Sequence, residues 1–350
     1  MSDVVVAGAG MAGLVAAARL RQLGAEVDLR EKGDRAGGNM LLSSGFVWRH
    51  REWADFRIEC PGGDEVLQRL LIERLDSAND WLASLGAEVL ATDTGNPRTT
   101  GVRFDPAALT ATLVRAAGEP RLGAPLDELP ERPVVLATGG FGASRALLAE
   151  HVAPHAGDAM LRCTPWNTGD GLRLGLAAGG EASAGLDEIF GRAMPDTAVG
   201  EHEFVALAQL YAPHAEIVGS DGERFVSHEW SQNDVTQWLA RRPGARGTFV
   251  VDESKLGERF RDRTVGAMIA AAEAAGAPVQ RTQGAIEVGV VAGVSTTLGG
   301  LRIDEHARVA GDVYAAGNDA GGWATGGYAS GLAAALVFGL VAAESIVEAA

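Results

Sequence analysis

Cysteine is nearly absent from this chain. Only Cys60 and Cys163 occur in 350 residues, far apart and outside any CxxC spacing. That excludes a disulfide framework and an iron–sulfur centre, and it points to a reducing cytoplasm. Positive charge is scarce as well: 30 Lys and Arg stand against 46 Asp and Glu, a formal net charge of −16. A nucleic-acid or anionic-membrane partner is excluded on that ground. Histidine is sparse and forms no ligand pattern, because Pro154 interrupts the helix that His151 and His155 would need, and no metal is expected. No leader pattern precedes the first strand, so a secretory signal is not expected. One apolar run, residues 331–347, has the composition of a membrane span. Gly339 and Glu344 interrupt it, and a buried C-terminal helix is expected instead.

Glycine is what the chain has in plenty, 47 residues, about twice the usual frequency. Its placement carries the first functional signal. Val4, Val5 and Val6 run into Gly8-Ala9-Gly10-Met11-Ala12-Gly13, and an apolar helix is expected from Leu14 to about Leu23. A second strand, 25–30, then delivers Glu31. Strand, glycine turn, helix and acid together form the dinucleotide fingerprint. The turn lets a pyrophosphate approach the free N–H groups at the helix N-terminus, and Glu31 is placed to accept from an adenosine ribose 2′-OH. The bound group is FAD or NAD.

The continuation separates the two. Glu31-Lys-Gly-Asp-Arg-Ala-Gly-Gly-Asn39, continuing with Leu42-Ser-Ser-Gly45, makes a second glycine turn that a nicotinamide site does not need. The run EKGDRAGGN resembles the FAD-binding segment of the fumarate reductase and 3-ketosteroid dehydrogenase flavoprotein family. Further stretches resemble it in the same order: VVLATGGFG at 134–142, NTGDG at 167–171, GERFV at 222–226, TLGGLRID at 297–304 and VYAAGN at 313–318. The resemblance implies an α/β fold, a Rossmann-like FAD-binding domain from residues 1–185 and 295–350 with an inserted α+β cap domain, 186–294, for substrate. Within the cap, 216–226 reads as a hairpin, 247–251 as a strand and 260–275 as a helix.

For the cofactor, the resemblance implies FAD contacts at Gly8, Gly10, Met11, Ala12, Gly13, Glu31 and Lys32. It adds Gly37, Gly38, Asn39, Ser44 and Gly45, then Thr138, Gly139, Gly140 and Asp170, and finally Gly317, Asn318, Gly331 and Leu332. Met40, not histidine, follows Gly38-Asn39, so noncovalent FAD is expected. The final helix would aim its positive N-terminus at the flavin N1–C2=O edge, where charge accumulates on reduction.

Two departures shape the functional reading. Residues 115–133 replace a small antiparallel sheet that the family carries there. The carboxylate-binding groups of fumarate-reducing members are missing: Met194, Ser295, Thr296 and Tyr328 stand where histidines and an arginine would be, and Asp252–Leu256 supplies no arginine. Fumarate and succinate are therefore not expected as substrates. Gly327-Tyr328-Ala329-Ser330-Gly331 instead resembles the GYxSG run of ketosteroid enzymes, where tyrosine and serine move the proton. The second tyrosine of that branch is replaced by Ser227–Ser231, making His228 and Glu229 alternative acids or bases. Trp48-Arg49-His50-Arg51 is a further polar candidate, for substrate, phosphates or plain solvation. The reaction implied is dehydrogenation or reduction of a C–C/C=C bond beside a carbonyl in a mainly apolar small molecule. A flavin oxidase or monooxygenase using O2, or a non-catalytic FAD-binding protein, remain the alternatives, and the electron partner is open.

Overall fold

The computed structural model describes residues 3–227, 231–260 and 262–350, which divide into two compact units. The first comprises 1–143, 164–188 and 297–350, and the second 144–163 and 189–296. The inserted segment drawn from the sequence, 186–294, differs from this division chiefly at 144–163, which group with the second unit.

The first unit is built on a sheet of order β14-β15-β5-β1-β2. Its strands are β1 (Asp3–Ala7), β2 (Glu26–Arg30), β5 (Val134–Leu136), β14 (Arg308–Ala310) and β15 (Val313–Ala315). β1 pairs parallel with β2 and β5, β5 with β15, and only the edge strand β14 is antiparallel. Val4, Val5 and Val6 are fully buried, as expected of a parallel strand covered on both faces. Each such side chain contributes about 1.5–3 kcal/mol. Helix α1 (Met11–Gln22) returns from β1 and packs against α9 (Gly331–Glu348), the apolar C-terminal run. Gly339 lets the helices approach, since a Cβ there would lie 2.8 Å from Ala12 O. Of the two glutamates in α9, Glu344 is paired with Arg19 at 2.9 Å and Arg74 at 2.5 Å. Its span-like window is 72% buried in the protein.

Helix α2 (Trp53–Glu59), α3 (Glu65–Ser84), α4 (Pro106–Ala117) and α6 (Asp170–Ala177) complete this unit, with a two-stranded sheet of β3 (Phe46–His50) and β4 (Thr99–Arg103). The segment after α4 is irregular, yet it is not loose. Arg121 bridges Arg30 in parallel, its N–H donating to Leu29 O and its carbonyl accepting from Glu31 N, both at 2.9 Å.

The second unit holds α5 (Arg145–Leu147), α7 (Gln232–Ala240) and α8 (Val265–Ala274) around strands β6 (Met160–Leu161) to β13 (Ala285–Thr297). β12 (Val279–Thr282), β13, β9 (Arg246–Asp252) and β8 (Glu216–Gly219) run in order, with β6 and β7 (Ile189–Pro195) also on β13. One expectation is corrected here. The helix expected from residue 260 starts at Val265, because β10 (Arg259–Phe260) and β11 (Arg263–Thr264) pair first and Thr264 Oγ1 caps the helix by accepting from Ala267 N at 3.1 Å. The hairpin expected at 216–226 is present with a short return arm: Val218 and Arg224 pair antiparallel, Gly219 N donating to Glu223 O at 2.7 Å and Phe225 N to Ile217 O at 3.0 Å.

Candidate flavin site

The first glycine turn has a physical cause at each position. A Cβ at Gly8 (φ +108°) would lie 2.1 Å from Ala137 O, and one at Gly13 would lie 1.8 Å from Gly8 O. Strand and helix leave no room for either. Gly10 is different. It is the N-cap of α1 with φ −74°, open to any residue, and a Cβ there would meet only Gly38 Cα at 4.0 Å. The protein's own packing does not demand glycine at Gly10. A group lying against the α1 N-terminus does, and a pyrophosphate fits that place. Gly37 N donates to Ala9 O at 2.8 Å, so the turn at Gly37, Gly38 and Asn39 is seated beside Gly10. Met11 and Ala12 are buried in the first turn of α1.

Around this turn the carboxylates are anchored to backbone. Glu31 is buried, with Oε2 accepting from Ala9 N and Oε1 from Gly33 N, both at 2.7 Å. It braces the turn, and each oxygen retains a lone pair for a ribose hydroxyl. Lys32 Nζ is held by Asp170 Oδ2 at 2.8 Å and Thr168 Oγ1 at 2.6 Å, tying the end of β2 to the start of α6. Asp319 is a residue that the sequence did not single out. Fully buried, it accepts from Thr138 N, from Thr138 Oγ1 at 3.1 Å and from Gly140 N at 2.9 Å. Thr138 Oγ1 in turn accepts from Gly171 N at 2.9 Å. Burial pushes the Asp319 carboxyl above its ordinary range, against the opposing pull of the Gly140 and Thr138 hydrogen bonds. Its neighbour Asn318 was legible through the VYAAGN run; Asp319 left no signal beyond adjacency to it.

The second open glycine is Gly331, at the start of α9. A Cβ there would be 3.9 Å from Asn318 Oδ1 and 4.0 Å from the Tyr328 hydroxyl, both ordinary contacts. Gly331 N donates to Tyr328 Oη at 3.4 Å, and the Tyr328 ring meets Trp48 edge-on at 6.2 Å. Leu332 is half-buried in the first turn. Ser330 is the N-cap: its Oγ accepts from Ala333 N at 3.2 Å and donates to Phe46 O at 3.3 Å. As a cap, Ser330 fixes the helix start. Thus Gly10 and Gly331, each at a helix N-terminus, both lack a side chain that the surrounding protein would accommodate.

Residues 48–333 match the FAD binding domain family, and residues 6–46 match an NAD(P)-binding Rossmann-like domain. The chain belongs to the FAD binding domain family. FAD is its cofactor. It is similar to the probable fumarate reductase Ifc3 of Shewanella frigidimarina (strain NCIMB 400), with 25% identity over 72% of this chain and 50% of that protein. A cytochrome fumarate reductase of Shewanella frigidimarina shows 24% identity over 72% and 52%. The chain thus spans about half the length of these relatives. In fold it is similar to 3-ketosteroid-Δ4-(5α)-dehydrogenase from Rhodococcus jostii RHA1 (TM-score 0.74, 17% identity, 99% of this chain and 96% of that one). A flavocytochrome c3 fumarate reductase in its open conformation gives the same score, 0.74, at 20% identity, over 99% and 78%.

The other sequence-derived FAD positions fall into two groups. Asn39 Oδ1 accepts from Thr164 N at 2.8 Å, bringing the second glycine turn to the segment before α6, and Gly317 sits against Ala12. Ser44 is exposed, and Gly45 is glycine because a Cβ would lie 2.0 Å from Phe104 O. Backbone packing alone explains that turn. The alternative acid–base residues His228 and Glu229 lie outside the described residues.

In the second unit Met194 is buried, and Ser295 stands on β13 with Thr296 beside it. No motif places a cation near them. The fold brings Arg162 there: its Nη1 donates to Ser295 Oγ at 2.6 Å, while Nε and Nη2 both donate to Phe204 O at 3.1 Å.

The residues of the run after the flavin-loop glycines have different surroundings. Arg49 pairs with Asp76 at 2.7 Å and Arg51 is exposed. His50 is instead buried, stacked on Phe56 at 5.0 Å and edge-on to Trp48 at 5.5 Å, with no hydrogen bond to either ring nitrogen. Burial pushes its pKa down to about 4, with Arg98 adding to the effect and Asp55 opposing it.

Proposed function

We propose that the protein is an FAD-dependent dehydrogenase or reductase acting on a C–C/C=C bond beside a carbonyl in a mainly apolar small molecule. The observation that carries this reading is Gly331 at the open N-terminus of α9, with the Tyr328 hydroxyl 3.4 Å from its amide. When bound, FAD supplies the hydride chemistry through its N5. The chain's own residues do the rest. The α9 N-terminus presents a positive dipole end to negative charge. Tyr328 is assigned the proton at the substrate α-carbon, and Gly331 N, 3.4 Å from its hydroxyl, stabilises developing phenolate character. Ser330 holds the helix start in register.

The fumarate reductases among the relatives support oxidoreductase chemistry at a CH–CH bond. Met194, Ser295, Thr296 and Tyr328 favour a substrate other than a dicarboxylate. Buried Met40 offers no group for covalent attachment, in keeping with noncovalent FAD. We assign flavin binding to the first unit, substrate selection to the second, and the protein to a reducing cytoplasm, where Cys60 and Cys163 stay unpaired.

The test is anaerobic titration of the yellow protein with a panel of ketosteroids, cyclic enones and acyl compounds. Bleaching of the flavin by a member of the panel is expected. No bleaching by any of them would sink the reading, and rapid reoxidation by air with stoichiometric peroxide would move it to the oxidases.

A further inference from the structure

Gln68 lies in the first turn of α3 and is fully buried. Its Nε2 donates to Cys60 O at 3.0 Å and to Trp323 O at 2.9 Å, and its Oε1 accepts from Arg57 Nη1 at 2.8 Å. Arg57 also donates to Pro61 O at 2.6 Å and Gly63 O at 2.7 Å. Around this amide two glycine-rich segments run back to back. Gly62 N donates to Thr325 O at 3.1 Å and Asp64 N to Gly322 O at 2.9 Å. A Cβ at Gly63 would lie 2.1 Å from Gln68 Nε2, and one at Gly327 would lie 1.7 Å from Glu59 O.

The chemistry of this arrangement favours a positioning role. For filling volume there an apolar side chain serves as well, without desolvating an amide. The amide satisfies the buried Trp323 carbonyl and adds a second donor to the Cys60 carbonyl, which also accepts from Gly63 N at 3.1 Å. Residues 321–327 contain four glycines and have no regular structure of their own. Such a stretch keeps a single geometry only if something outside it supplies the restraint. Asp64 links that restraint to a rigid element, since its carboxylate caps α3 by accepting from Val66 N at 2.9 Å and Leu67 N at 3.1 Å.

We propose that Gln68 is a positioning residue for the flavin-facing loop: through the Trp323 carbonyl it fixes where Tyr328 and the N-terminus of α9 stand. This rests on the reading that the 321–331 segment faces the flavin. Without the Gln68 amide the loop samples other geometries, and the helix end and the tyrosine lose their fixed aim at developing negative charge.

The test uses FAD-loaded Gln68→Met at a temperature where circular dichroism shows parent and variant fully folded. Three measurements are made: FAD affinity, the two-electron midpoint potential against a viologen, and amide exchange of residues 321–331 in the apo and loaded protein. FAD affinity should be unchanged, because the Gly8–Gly13 turn and Glu31 are untouched. Exchange in the loop should quicken, and the reduction equilibrium should move against reduced flavin by roughly tenfold, about 30 mV for two electrons. A parent-like potential in folded Gln68→Met would overturn the proposal. Tyr328→Phe, run alongside, separates the two levels. If it moves the potential while Gln68→Met does not, only the positioning role fails. If neither does, the flavin-facing reading of the loop fails and takes the proposal with it. Should Gln68→Met not fold, Gln68→Glu, which keeps an acceptor for Arg57 and sets an oxygen against the two carbonyls, carries the same expectation. Failure of both variants to fold would also overturn it, by making Gln68 a determinant of the fold itself.

Discussion

In the first unit, polar side chains converge on backbone amides of glycine turns: Glu31 on Ala9 and Gly33, Asp319 on Thr138 and Gly140, Ser330 on Ala333. In the second, Arg162 reaches a serine hydroxyl and the Phe204 carbonyl across long stretches of sequence, with no glycine motif to announce it. The contrast has a physical basis. A cofactor bound through backbone N–H groups constrains φ/ψ and close approach at particular positions, and those constraints leave glycines at fixed spacing. A surface made of side chains on strands constrains only what lies opposite what, and many sequences meet that requirement.

The strongest way to break the contrast is to find the chemistry independent of the glycine-framed loop. Tyr328→Phe keeps the ring against Trp48 and removes only the hydroxyl. FAD should remain bound, while anaerobic flavin reduction by the true substrate slows by about two to four orders of magnitude. A Phe variant reduced at the parent rate would move the role to His228 or Glu229.

A second expectation concerns His50, the buried group in the first unit that has no hydrogen bond to either nitrogen. Its folded pKa, about 4, lies below the ordinary value of 6.5. Between those values the unfolded chain binds more protons, so the stability from keeping His50 neutral is complete above 6.5 and is lost as pH falls toward 4. The loss amounts to as much as about 3 kcal/mol. Urea unfolding at pH 7 and at pH 4.5 should therefore show the nontitrating variant His50→Phe gaining on the parent as the medium is acidified. Parallel pH profiles would mean that His50 titrates normally in the fold.

Glu31→Ala sharpens the comparison on the cofactor side. It removes the carboxylate that braces Ala9 and Gly33, and FAD retention should weaken by about 1.5–3 kcal/mol, the scale of hydrogen bonds to a charged group. Reconstitution of apoprotein followed by flavin fluorescence measures it. Undiminished affinity would reduce Glu31 to a purely structural brace. The smallest expected effect lies in the second unit. Fumarate and succinate should give no turnover above free flavin with reduced or oxidised viologen, since the Arg162 guanidinium is already directed at Phe204 O and Ser295 Oγ. Measurable fumarate reduction would make Arg162 a carboxylate ligand and erase the distinction from the dicarboxylate enzymes.

What the sequence determined by itself was the first unit's logic: the β1–turn–α1 start, the acid at Glu31, the glycine turns around Gly37 and Gly140, and a final apolar helix opening at Gly331. Each is a local demand, in which backbone conformation, periodicity or close approach fixes residue type within a short window. Only the tertiary structure decided the rest. Asp319 and Gln68 act on partners distant in the chain, Thr138 at one site and Trp323 at the other. His50 is buried because the rings of Trp48 and of Phe56 on α2 cover it, and Val265 rather than residue 260 begins α8 because a two-residue pairing forms before it. Side-chain partners far apart in sequence leave no spacing to read, since a hydrogen bond depends on where the chain returns and not on which residue precedes it.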